Sequence, residues 1–209
     1  MAKHLPAHLS HKSALVLLPH ASITAPVEAV RRLHDKHFAR WPPHINLLYP
    51  FLASPSETAE HGNESNPPQL KESIRVRLQK AVQSTRPFDV SLVADPPGMF
   101  SHSKRSKTVW LGPSTNKVQQ LQQALQNEFS ECDADKRSFT PHLSVGQANS
   151  DSDVDKLKIE IKSSIAEFVR TEEGAPVALD WTVDRVFVIE RKGFHDRFKV
   201  VGSIDLIEV

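Results

Sequence analysis

Two short segments constrain this chain more than any other feature. Pro43-His44-Ile45-Asn46-Leu47-Leu48-Tyr49 and Pro141-His142-Leu143-Ser144-Val145 each alternate polar with apolar residues. Successive side chains of a β-strand point to opposite faces, so the pattern suits strands with one face in a core and the other open. In the first segment His44 and Asn46 share a face, while Ile45, Leu47 and Tyr49 share the other. In the second, His142 and Ser144 point away from Leu143 and Val145. A proline precedes each histidine and fixes φ at the strand entrance without being needed as a ladder donor. The fold must therefore hold two half-buried strands, each showing an imidazole beside a hydrogen-bonding side chain.

The surrounding pattern alternates helices with strands. Ala14–Leu18 is a short apolar run that reads as a buried strand. Pro26 is expected to open a helix with Val27, Val30 and Leu33 turned inward, ended by Arg40-Trp41-Pro42-Pro43. Residues 53–69 are polar and read as a surface loop, and residues 69–84 carry helical spacing. Strands follow at Phe88–Leu92 and Thr108–Leu111, then a helix on Val118, Leu121, Leu125 and Phe129. Phe139–Val145 is a strand, Val154–Phe168 a helix, and Trp181–Arg191 and Phe198–Ile207 are closing strands. A Pro-His strand shortly after a helix occurs once in each half, which hints at two similar lobes. The expected class is α+β with mainly antiparallel sheets. Residues 1–12 are expected to be a loose leader and residues 13–209 a single domain, a length that buries a substantial core.

Composition narrows the function classes. Lys and Arg total 26 against 25 Asp and Glu, a formal charge of +1. That balance excludes a strongly basic nucleic-acid coat but leaves room for a local basic cleft. Cys132 is the one cysteine, so there is no internal disulfide framework. Met1-Ala2-Lys3-His4 lacks a secretory run, and no stretch approaches the roughly 20 apolar residues that span a bilayer. A monomer of the cytoplasm or nucleus, away from membranes, is expected. His34 and His37, like His8 and His11, stand at i, i+3, but no third or fourth ligand is spaced to complete a zinc site. Neither a metal nor a cofactor is expected.

A histidine followed two residues later by Ser, Thr or Asn occurs six times, at His8, His11, His20, His44, His61 and His142. Only His44 and His142 fall within strand patterns. His20 competes most closely, but it lies between a finished strand and a helix start. Paired in one cleft, the two strand histidines suit the opening of a cyclic phosphodiester, which needs a base for water and an acid for the departing oxygen. Imidazole serves both roles because its ordinary pKa lies near neutrality. Asn46 and Ser144 supply donors for the non-bridging oxygens.

Pro43–Phe51 and Phe139–Val145, 98 residues apart from histidine to histidine, resemble the paired motifs of the two-histidine (2H) phosphoesterase superfamily. Phe88–Leu92 through Phe100 to Val109-Trp110-Leu111 resembles the segment between those motifs, and Trp181–Arg191 the closing strand, so the likeness spans roughly residues 13–207. It implies a bilobal α+β fold, two mainly antiparallel sheets facing a central cleft with helices packed outside. It also implies His44 and His142 as the catalytic pair, with Asn46 and Ser144 as phosphate contacts. The family usually has Thr or Ser where this chain has Asn46, which bears on rate or substrate choice. The activity implied is metal-independent hydrolysis of a 2′,3′-cyclic phosphate, at an RNA 3′ end or in a cyclic nucleotide, to a 2′-phosphate. Weak RNA 2′,5′-ligation, with a 5′-hydroxyl in place of water, is implied beside it. A non-catalytic module that binds RNA ends or nucleotides is the alternative.

Further side chains invite roles in such a cleft. Lys104, Arg105 and Lys107 form a basic turn suited to an RNA backbone or simply to solvent. Trp41, Phe100 and Phe139 are candidates to stack on a base, with core the favoured reading for Phe100 and Phe139. Tyr49 alternates away from His44 and is expected in the core. Arg191 is within possible reach from the closing strand.

Overall fold

The computed structural model of the protein describes residues 5–57, 68–133, 138–170, 172 and 174–207. In chain order the first half forms β1 (Leu9–Ser10), β2 (Ser13–Leu17), α1 (Ala21–His34), β3 (Ile45–Leu48), β4 (Phe51–Leu52), β5 (Ser56–Glu57), β6 (Gln69–Leu70) and α2 (Glu72–Val82). The second half forms β7 (Phe88–Ser103), β8 (Ser106–Pro113), α3 (Lys117–Glu128), β9 (Leu143–Ala148), α4 (Asp151–Val169), β10 (Ala178–Val183), β11 (Arg185–Glu190) and β12 (Lys199–Asp205).

Eight strands make one antiparallel sheet in the order β10-β7-β8-β9-β3-β2-β11-β12. The two expected sheets are its halves, β10-β7-β8-β9 and β3-β2-β11-β12, joined by the single pair Ile45–Leu143. Helices α1 and α4 pack on the first half, and α2 and α3 on the second. The core lies between this helical layer and the sheet, with Leu15, Ile45, Leu143, Val27 and Ile161 in one cluster. Its helical stripes follow the 3.6-residue period, as in α4, where Val154, Leu157, Ile161 and Ile165 are buried. Ser150 caps α4 by accepting the Asp153 N–H at 3.1 Å.

The closing segment departs from the expectation of one strand over Trp181–Arg191. It breaks at Asp184: β10 pairs with β7 at one edge of the sheet, and β11 pairs with β2 and β12 near the other. One residue thus separates strands six places apart in the sheet order, so the sheet has to curl until its ends approach. The core-facing positions change parity across this break, from Trp181 and Val183 to Val186 and Val188, but Val186 to Ile189 is apolar at every position and hides the change.

Other differences have local causes. α1 starts at Ala21 rather than Pro26, because His20 caps it by accepting the Ser22 N–H at 3.2 Å. Pro26 lies inside the helix, and Leu33, expected inward, is exposed, while Arg31 is buried instead. The leader is not loose from residue 5 onward, since β1 pairs with β4 and buries Leu9. Residues 1–4 and residues 58–67 of the polar loop lie outside the described residues, and the loop's ends pair as β5 and β6. No helix among the described residues is long and apolar enough to cross a membrane.

Candidate active site

The Ile45–Leu143 pair fixes the register of the two motif segments. In an antiparallel ladder it sets His44 next to Ser144 and Asn46 next to His142. Ile45 and Leu143 are fully buried against the helices, so alternation turns all four polar side chains onto the opposite face. The four residues expected to form the site are therefore brought together at the seam between the two halves. Each histidine immediately precedes its regular strand.

The rings are held alike. His44 Nδ1 lies 2.7 Å from the Pro42 carbonyl, and His142 Nδ1 lies 2.8 Å from the Thr140 carbonyl. A carbonyl only accepts, so Nδ1 carries the proton and donates in both rings. In the neutral imidazole this leaves Nε2 with a free lone pair, and neither Nε2 has a hydrogen-bond partner among the described residues. Burial above all, with smaller contributions from the charges of Arg31 and His142, holds the His44 pKa down at about 4 against the opposing hydrogen bond to Pro42. Burial also lowers His142, with a smaller contribution from His102.

Aromatic side chains wall the pair. The Trp41 indole stacks on His44 at 4.5 Å and 15°. Phe100 meets the His142 ring edge-on at 4.8 Å, and Trp110 lies 6.1 Å from it. Trp110 stands opposite Ser144 in the β8–β9 ladder and packs on Phe100 at 5.1 Å. Its indole lies across two glycines: a Cβ on Gly98 would come within 2.3 Å of the ring, and one on Gly112 within 2.9 Å. Phe100 therefore belongs to the site wall, whereas Phe139 packs against the core.

Behind His44, the buried Arg31 and Asp35 pair at 2.7 Å. Arg31 also donates to the Trp41 carbonyl at 3.0 Å, and Asp35 accepts from Gln147 of β9 at 3.2 Å. The end of α1 thus ties the approach to β3 to the far end of β9, a link with no trace in local sequence.

The model of the 2′-5′ RNA ligase superfamily matches residues 19–194 of the chain. The protein belongs to this superfamily. A Geobacillus thermodenitrificans protein assigned as a phosphoesterase is 25 % identical over 194 residues, covering 87 % of this chain and 98 % of its own. A Bacillus mycoides protein with the same assignment is 29 % identical over 142 residues, 68 % of this chain and 73 % of its own. Among solved structures, Escherichia coli LigT in apo form aligns with a TM-score of 0.56 at 14 % identity, over 97 % of this chain and all of LigT. LigT complexed with 3′-AMP aligns at 0.53 and 14 % identity, over 95 % of this chain and 99 % of that one. The fold is thus that of the two-histidine phosphoesterases, and the chain is a phosphoesterase-like member of the superfamily.

Within this superfamily member, several sequence expectations need correcting. Tyr49 is not in the core: it is 39 % exposed and meets Trp41 edge-on at 5.3 Å. Leu15 pairs with Leu48 but Val16 with Asn46, so β3 carries one extra residue, and the bulge inverts the alternation beyond it. Lys107 is buried and bonded to Asp151 at 3.3 Å, while Lys104 and Arg105 are exposed at the hairpin tip. His34 bonds Glu160 at 2.8 Å, and His8 bonds the Glu131 carbonyl at 3.2 Å. His61 lies outside the described residues. The Trp110 wall was missed because it depends on cross-strand register, and the Arg31–Asp35 tie because it rests on side-chain contacts to Trp41 and Gln147.

Proposed function

We propose that the protein is a phosphodiesterase that opens 2′,3′-cyclic phosphates, at RNA 3′ ends or in cyclic nucleotides, to 2′-phosphates. The carrying observation is the pair of imidazoles on one face, each with Nδ1–H spent on a backbone carbonyl and Nε2 free. His44, whose pKa burial holds at about 4, is the base: its neutral Nε2 takes a proton from water as the oxygen attacks phosphorus. His142 is the acid, giving its proton to O3′ as the P–O3′ bond breaks. The anionic substrate favours the charged form of His142 once bound. Ser144 and Asn46 donate to the non-bridging oxygens, which gather charge at the pentavalent phosphorus. The buried Asn46 side-chain oxygen has no hydrogen-bond partner among the described residues.

Both proton transfers are supplied by imidazoles, so no step of this scheme calls for a metal. Ligation of a cyclic end to form a 2′,5′ linkage is the same opening with a 5′-hydroxyl in place of water: the new O5′–P bond forms as P–O3′ breaks. The test is incubation of the purified protein with each 2′,3′-cyclic nucleotide in excess EDTA. Persistent formation of 2′-phosphate supports the reading. Turnover that collapses with EDTA overturns the metal-free scheme, and binding without turnover of any cyclic nucleotide makes the protein a binding module.

A further inference from the structure

Alternation along β11 puts Phe187, Ile189 and, just past its end, Arg191 on the face that carries the histidines. Phe187 and Ile189 belong there to a small cluster with Trp41 and Phe198. Arg191 is 93 % buried, and its guanidinium lies over the Phe198 ring at 4.7 Å. Phe198 in turn packs on Trp41 at 3.9 Å, and Trp41 on His44 at 4.5 Å. Arg191 is therefore continuous with the catalytic wall through two rings.

Its polar partners are neutral. Arg191 donates to the His11 carbonyl at 3.2 Å and to the Phe194 carbonyl, and its buried Nε has no hydrogen-bond partner among the described residues. Arg40 reaches the same Phe194 carbonyl at 3.5 Å, and its other contact is the His37 ring. Neither guanidinium forms an ion pair with a carboxylate among the described residues. The neighbouring Asp196 carboxylate accepts the Gly193 N–H at 2.7 Å. Tyr49 brings a hydroxyl to the same corner, 3.4 Å from the His11 carbonyl. A buried guanidinium without a counter-ion is costly, and guanidinium forks match phosphate oxygens. Here the buried Arg191 guanidinium and the partly exposed Arg40 guanidinium converge beside an exposed phenol.

We infer that Arg191 and Arg40, with the Tyr49 hydroxyl, form a second phosphate subsite that takes a phosphate of the nucleotide substrate other than the one between the histidines. The inference rests on the phosphodiesterase reading and names its substrate class: nucleotides with a further phosphate are preferred over those with one.

The test is calorimetric titration of the full chain with adenosine 3′-monophosphate and adenosine 3′,5′-bisphosphate. Wild type is expected to bind the bisphosphate about tenfold or more tightly, the scale of charge-assisted hydrogen bonds. Arg40→Gln, at a partly exposed position, and Arg191→Lys, which keeps the charge but loses the fork, are each expected to shrink that ratio towards one. Equal wild-type affinities, or a ratio that neither variant changes, would overturn the subsite. His142→Ala is expected to weaken both ligands while preserving the ratio. Binding of both ligands untouched by His142→Ala would instead overturn the phosphodiesterase reading, and failure of wild type to bind either ligand would overturn both.

Discussion

Ile45 stands opposite Leu143 in the one residue pair that joins the two halves of the sheet. Everything at the seam takes its register from that pair: His44 beside Ser144, and Asn46 beside His142. A slip of one residue would turn one motif's polar side chains into the core.

The pair is therefore a packing requirement with a catalytic consequence. Ile45 and Leu143 are buried to within 1 %. Ile45→Ala or Leu143→Ala is expected to cost about 2–5 kcal/mol, the range for truncating a buried aliphatic side chain. Urea denaturation measures this directly. Turnover under native conditions should fall as well, because the two imidazoles lose their fixed separation.

The depressed histidine pKa values set the direction of the pH–rate profile. In the proposed scheme the base, His44, works when neutral, which holds above about pH 4. The acid works when protonated, which for the free enzyme requires a pH below the lowered His142 value. The kcat/KM profile is expected to be a bell with its maximum on the acid side of neutrality, reporting the coupled pair. A maximum above pH 7.5 would contradict these roles.

The same shift makes stability depend on pH. Unfolded His44 takes up a proton near pH 6.5, whereas the folded ring resists protonation until about pH 4. The unfolded state binds more protons in that window, so stability is full above pH 6.5 and declines as pH falls towards 4. His44→Gln is expected to flatten part of this decline, read from denaturation midpoints across the window.

Gly98 has a steric duty. A Cβ there would lie 2.3 Å from the Trp110 ring. Gly98→Ala is expected to destabilise by about 1–3 kcal/mol, as overpacking does, and to change Trp fluorescence as the indole moves. Adding Trp110→Ala should recover most of that loss, which a double-mutant cycle measures.

How much of this was legible in the sequence depended on whether the signal was local. Alternation around His44 and His142 identifies the side chains that share an open face, and helical spacing identifies the stripes of α2, α3 and α4. Tyr49 was misplaced because the bulge in β3 changes parity after Asn46, and no residue type there announces it. The break at Asp184 was hidden for a related reason, since the apolar run from Val186 to Ile189 covers the change of parity. Trp110 escaped because it meets the site through a ladder partner, and Arg31 and Asp35 because they meet it through side-chain contacts to Trp41 and Gln147 that no local pattern marks. Local pattern specifies which face a residue shows. Only pairing specifies its neighbours.

The most direct test is the turnover of a 2′,3′-cyclic nucleotide by His44→Ala and His142→Ala beside wild type, with thermal melts run on the same samples. Each variant is expected to lose at least about 10²-fold in rate while remaining folded. A folded variant of either histidine that turns over at close to the wild-type rate would contradict the acid–base pair.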